Sequence, residues 1–327
     1  MNKNHVLSFC RILATLSILI CHVIKYYTFI PGHLQLGQFF NIGVPMFIII
    51  SGYLYGAKYN QNKQPISNIK MYFISRYNRV ALPSQLWAII VFIISFGGYV
   101  INTLMVILNL QGTSWIIQNA NIPDGGPFLS HSWFVTIILI CYAFVPFLGK
   151  YIHKIEWNIL VVLYIVGFGL RLININIFYF LLFAVAFYIS AKQIEVFKIK
   201  NVLVVGILVL CFGVRLLGHR YMDDTKLYND YIVSFTHQIA AVAIMILCSK
   251  FVRKYKCISK ITDSRVGRFI EHHSYSIYLV HYSLIPVLYT KLTLPLATIC
   301  FILSTALLAV GLDFVSGKVE KAIMKRV

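Results

Sequence analysis

The sequence predicts an all-α, polytopic membrane protein with about ten transmembrane helices and both termini in the cytoplasm. Three observations predict it. Of 327 residues 59% are hydrophobic and only 12% charged, with a mean hydropathy of +0.78, whereas a soluble domain carries about 25% charge. Apolar stretches recur near the ~20 residues needed to cross hydrocarbon. Lysines and arginines gather on alternate connections between those stretches, as the positive-inside rule requires.

The spans are expected at 6–28, 36–57, 80–101, 131–149, 156–173, 175–191, 201–218, 230–250, 268–290 and 293–315. The first is too long for a signal peptide and lacks a small-residue cleavage site, so it reads as a retained helix. After the second, residues 58–79 form a polar, basic connection containing Pro65. Residues 102–130 hold no lysine or arginine and end in Ile122-Pro-Asp-Gly-Gly-Pro127, a candidate for re-entry into the membrane. Spans five and six are crowded. Span seven leads to the charged connection 218–230, with His219, Arg220, Asp223, Asp224, Lys226 and Asp230.

The net charge of +19 would suit nucleic acid if it were clustered, but topology accounts for it. With the N-terminus inside, the outer side keeps Lys25, Arg171, Arg215, Arg220, Lys226 and Lys291, and the other basic residues fall inside. Seven cysteines are scattered, without metal-ligand spacing, so neither a zinc site nor a full disulfide set is expected. They read as small packing residues. No 20–50-residue repeat and no inverted pair of halves is visible, which disfavours a secondary transporter.

Ionisable groups inside apolar spans are functional candidates by default. His22 lies in the first span eleven residues after Arg11. Eleven helical steps return to within about 20° of the start after a rise of roughly 16 Å. The pair therefore shares one face, with Arg11 near the inner surface and His22 expected near mid-membrane. A titratable base there suits proton abstraction; the competing reading is a histidine that fixes helix packing.

Arg76 and Arg79, in Ser75-Arg-Tyr-Asn-Arg79 before span three, share a helix face. Guanidinium forks suit phosphate oxygens, though such residues also serve topology or bind anionic lipid head groups. Span two carries Gly43-Val-Pro-Met-Phe47-Ile-Ile-Ile-Ser51-Gly52-Tyr53-Leu54, where a Ser-Gly pair permits close helix approach. Span four opens on His131-Ser-Trp133-Phe134. Span nine contains Ser274-Tyr-Ser276-Ile-Tyr278-Leu279-Val-His281, with His281 about 20 Å along the helix from Arg268. Two histidines at similar depth could face one cavity; a packing role for His281 is the alternative.

Taken together, Arg-x10-His, Phe-x-x-x-Ser-Gly-Tyr-Leu, Arg-x-x-Arg, His-x-Trp-Phe and Ser-x-Tyr-Leu-x-His, in this order and over essentially the whole chain, resemble the acyltransferase family 3 membrane proteins. The resemblance implies a bacterial inner-membrane O-acyltransferase, moving acetyl from cytoplasmic acetyl-CoA to a hydroxyl of a cell-surface polysaccharide or its lipid-linked precursor. It implies that His22 is catalytic, that Arg11 supports the donor path, and that Arg76 and Arg79 meet the CoA phosphates. Ser51, Tyr53, His131, Trp133, Tyr278 and His281 become substrate or supporting residues. Expected partners are acyl-CoA, a saccharide acceptor at the outer face and membrane lipids, with no metal and no nucleic acid.

Residues 1–327 are expected to form a single integral-membrane domain. The extracytoplasmic hydrolase-like domain that some relatives carry is not expected. No carboxylate falls in a span near His22; Glu195 and Glu271 are expected at the inner surface and Asp313 near the far end of span ten. The rival readings are a flippase or transporter of an envelope glycan, and transfer of another acyl group such as succinyl.

Overall fold

The computed structural model describes residues 4–27, 32–61, 66–118, 126–222, 225, 227–255 and 257–325. The side chains of residues 33–35, 61, 197, 227, 229 and 230 lie outside that description. So do parts of two predicted connections, including Ile122, Pro123, Asp124, Asp223, Asp224 and Lys226.

The described residues are helical throughout, with one isolated antiparallel bridge between Ile117 and Ile175. The helices are α1 (His5–Ile24), α2 (His33–Phe39), α3 (Gly43–Gln61), α4 (Ile69–Ile94), α5 (Val100–Ile107), α6 (Thr113–Ile116), α7 (Gly126–Leu129), α8 (Trp133–Tyr151), α9 (Trp157–Leu172) and α10 (Phe178–Ala191). After them come α11 (Asn201–Met222), a π-helical segment (Leu227–Val233), α12 (Ser234–Lys254), α13 (Cys257–Asp263), α14 (Arg265–Leu288) and α15 (Leu294–Met324).

Every predicted apolar stretch overlaps helix, although 36–57 and 80–101 are each broken by a turn. Among the described residues seven helical stretches are long and apolar enough to cross a membrane, namely α1, 36–60, α4, 126–151, α11, 231–254 and α15. The apolar α9 and α10 have 16 and 14 residues, or about 24 and 21 Å, shorter than the ~30 Å hydrocarbon. Their shortness is the crowding noted in the sequence. Helix α14 is long enough but is not among the seven: charged and histidine residues in its first turns, and His281 with several serines and tyrosines beyond them, lower its hydropathy.

Span three needs correction. The sequence places it at 80–101, but α4 runs from Ile69 to Ile94. It starts early because the Asn68 side chain accepts from the Met71 N–H at 3.0 Å, an N-cap of the preferred kind. It ends early because Phe96, Gly97 and Tyr99 take positive φ, which breaks the helix. The Ser75–Arg79 cluster therefore sits inside a helix, not on a connection before one.

The chain forms two compact units. The first comprises Met1–Lys63, Trp157–Tyr164 and Phe178–His272; the second comprises Gln64–Glu156, Ile165–Ile177 and His273–Val327.

In the first unit α3 packs against α10, α1 and α12, and α12 against α11. The α3–α10 contact is made backbone to backbone. A Cβ at Gly52 would stand 2.4 Å from the Phe183 carbonyl oxygen, and one at Gly56 would stand 2.2 Å from that of Phe187. Both pairs are one turn apart on their helices. Small residues at that spacing drive close helix packing in lipid, so the Gly of the Ser51-Gly52 pair is a packing residue. Five cysteines, Cys10, Cys21, Cys141, Cys211 and Cys248, are buried and unbridged, as expected of packing residues.

In the second unit α4 packs against α5, α8 and α15. Pro83 lies inside α4 and removes one N–H from its ladder. Nearby, the Tyr275 hydroxyl donates to the Val80 carbonyl at 2.5 Å, tying α14 to α4 one residue beyond the carbonyl that the proline leaves without its helical donor.

Candidate functional site

In the first unit Arg11 and His22 both lie on α1, so the shared face and the roughly 16 Å rise hold. The helix closes at Ile24, and His22 stands in its last turn, half-buried, rather than midway along it. Arg11 is fastened at the other end. Its Nη1 lies 3.9 Å from Glu271 Oε1, and the Ser8 hydroxyl donates to the same oxygen at 2.6 Å. The sequence places Glu271 at the inner surface and shows no partner for Arg11; the available signal is that Glu271 is an acid near the start of a span.

Ser51 and Tyr53 follow on α3. Tyr53 lines a cavity of about 860 Å³, open mouth included, with Leu7 of α1, Leu182 and Ile189 of α10, and Ile246 and Arg253 of α12 among its other walls. The cavity is mostly apolar, with Asn4, Ser249 and Arg253 as its polar groups.

In the second unit the structure assembles three of the predicted residues. The His131 ring donates through Nε2–H to the Leu279 carbonyl at 2.9 Å. The Tyr278 hydroxyl donates to the His131 carbonyl. The His281 ring donates through Nδ1–H to the Tyr278 carbonyl at 2.7 Å. The ring centroids of His131 and His281 are 5.4 Å apart, and Tyr282 stacks on His131 at 5.0 Å. These bonds fix both tautomers, because a carbonyl only accepts. His131 Nδ1 is thereby a lone-pair nitrogen, and it is buried with no hydrogen-bond partner. Such a group is suited to accept a hydrogen bond from a ligand. Trp133 joins a different contact, stacked on Trp115 at 4.2 Å and 21°.

Arg76 and Arg79 lie on α4, within its first three turns. Arg76 Nη2 donates to the Ser75 hydroxyl at 3.3 Å, and its guanidinium carbon is 6.0 Å from the Tyr72 ring centroid. Arg79 is mostly exposed, with Nε 3.5 Å from Glu320 Oε1. Within this unit a constellation absent from the sequence reading also appears: His273 Nδ1 donates to Asp313 Oδ2, and the Ser276 hydroxyl donates to Asp313 Oδ1. Asp313, expected only near the end of a span, is the acceptor that holds a histidine eight residues before His281. An i, i+3 pair on α14 meeting one acid on α15 was not legible, because the partners lie 40 and 37 positions apart and only the pairing of the two helices brings them together. Among the described residues no group of His, Cys, Asp and Glu could hold a metal ion.

Comparison with curated proteins and with solved structures returned no match. The family model of the acyltransferase domain of family 3 matches residues 4–314, a stretch that contains every candidate residue described above. A chain whose described residues include seven helical stretches long and apolar enough to cross a membrane, matched almost end to end by that model, belongs to acyltransferase family 3 and is a membrane acyltransferase.

Proposed function

We propose that the protein is an O-acetyltransferase of the bacterial inner membrane. In this reading it moves acetyl from cytoplasmic acetyl-CoA to a hydroxyl of a cell-surface polysaccharide or its lipid-linked precursor. The observation that carries the reading is α1, which holds a cation and a histidine on one face, separated by a rise close to the length of a pantetheine arm. Arg11 lies toward the thioester carrier, and His22 is the general base that takes the acceptor hydroxyl's proton. The alkoxide attacks the acetyl carbonyl, the C–S bond breaks, and the proton passes to the CoA thiolate. Arg76 and Arg79 are the groups that meet phosphate, through charge-assisted forks.

Two results test the donor half. Arg76→Ala with Arg79→Ala should weaken CoA binding by about 10-fold or more, the loss of two charge-assisted contacts, measured by calorimetry on the purified protein. Intact binding would reduce both arginines to topology signals. Glu320→Gln removes the carboxylate that occupies Arg79, and should tighten CoA severalfold, most clearly at low salt. A fall in affinity would count against a phosphate role for Arg79. The reaction itself is read as CoA release that depends on acceptor. Acceptor movement without CoA consumption would favour a transporter instead.

A further inference from the structure

In the first unit, Arg215 of α11 is 4% exposed. Its Nη2 donates to the Gln38 carbonyl at 2.6 Å, while Nε and Nη1 have no hydrogen-bond partner among the described residues. The guanidinium carbon lies 5.5 Å from the Phe39 ring centroid and 6.0 Å from that of Phe212. The titratable groups facing it are Tyr228, Cys21, Cys211 and His237. None of these is a carboxylate. Tyr228 gives its hydroxyl hydrogen to the Arg215 carbonyl at 2.8 Å, and His237 donates through Nε2–H to the same Gln38 carbonyl at 3.2 Å. Both neighbours therefore brace the backbone and leave the guanidinium edge open.

This arrangement is expensive without a ligand. A guanidinium does not shed its proton, and a buried charge lacking a counter-ion is strongly unfavourable. A histidine or lysine could neutralise itself at such a position; an arginine requires an anion. A crevice of about 230 Å³, open mouth included, reaches the group between Gln38, Phe39, Leu216, His219 and Tyr228. Most of that space is open mouth and the enclosed part is about that of one water, so only the tip of a charged group reaches the guanidinium and a whole sugar does not. Lys25, at the C-cap of α1, adds positive potential at His237.

We propose that Arg215 anchors an oxyanion-binding site, taking a carboxylate or phosphate group on its open Nε and Nη1 edge in bidentate fashion. Cys21, which faces the guanidinium, directly precedes His22 on α1. An anion held here stands at the end of α1 that carries the base. The acidic group of the saccharide acceptor is the ligand's owner; that attribution alone rests on the acyltransferase reading, and the oxyanion site does not.

The test is binding without acetyl-CoA, so that its failure is separable from failure of the transfer reaction. The full chain in phosphatidylcholine nanodiscs is titrated with glucuronate, inorganic phosphate and, at matched ionic strength, glucose plus sodium chloride. A parallel preparation incorporates phosphatidylglycerol. Saturable thermal stabilisation by glucuronate or phosphate but not by glucose is expected, with affinity at least 10-fold weaker in Arg215→Gln. Arg215→Lys keeps the charge but loses the fork, and is expected to be about as weak; it decides the matter if the glutamine variant does not fold. Stabilisation only by phosphatidylglycerol, lost in these variants, supports the oxyanion site with a lipid as its source. A wild type that responds to none of the three anions overturns the proposal, as does an equal response in Arg215→Lys and wild type.

Discussion

Replacing His22 by alanine is expected to lower acceptor-dependent CoA release by about 10²–10⁴-fold, the usual contribution of a positioned general base. The loss should fall on turnover more than on donor affinity, because no donor-binding role is given to the imidazole. The stability of the variant should stay close to wild type. His22 is half-buried and lies in the last turn of α1, so its removal empties no large core volume. Initial rates over a range of acetyl-CoA concentrations, with circular dichroism as a check on folding, provide the comparison. A variant that keeps its turnover would remove His22 from the mechanism and move attention to the lone-pair nitrogen of His131.

The largest expected effect on stability is at the α3–α10 contact. Gly52→Ala and Gly56→Ala should each cost about 1–3 kcal/mol, the range for forcing a methyl into a filled interface. The added carbon would meet a backbone carbonyl oxygen at 2.4 Å and 2.2 Å respectively, and main-chain atoms cannot rotate aside as a side chain can. The helices must therefore separate along their whole contact. Thermal unfolding in detergent, followed by helical signal, gives the measurement. A variant at Gly206, whose Cβ would meet nothing within 4 Å, is the control and should be near neutral. Wild-type unfolding in the two α3 variants would show that this interface relaxes and that the close approach is not required.

Hydropathy made the helices legible, because lipid demands length and apolarity from each span. Each of its ten apolar stretches overlaps helix, and it failed mainly at ends. Asn68 was the available signal for the early start of α4, and Ser95-Phe-Gly-Gly98 for its early stop; both are cap or turn chemistry inside an otherwise apolar count. The site was legible in the same uneven way. Short motifs pointed to His131, Tyr278 and His281, which the fold does bring together, since two of them share one helix. Long-range partners had no such signal. Glu271 on Arg11, Asp313 on His273 and Gln38 on Arg215 each join residues tens to hundreds of positions apart. Only folding brings those partners within reach.

Helix α15 carries a further consequence. Its 31 residues extend about 46 Å, well beyond the ~30 Å of hydrocarbon. Tilting at the usual ~20° absorbs only a few ångströms, so one end must emerge into the head groups, and the end with Lys318, Glu320 and Lys321 is the one that can. Asp313 lies nineteen positions along the helix from Leu294, about 28 Å, which puts it at the level where hydrocarbon gives way to water. The hold of Asp313 on His273 is thereby tied to bilayer thickness. Lipids with longer chains would draw the carboxylate into hydrocarbon, and shorter ones would release it to the aqueous boundary.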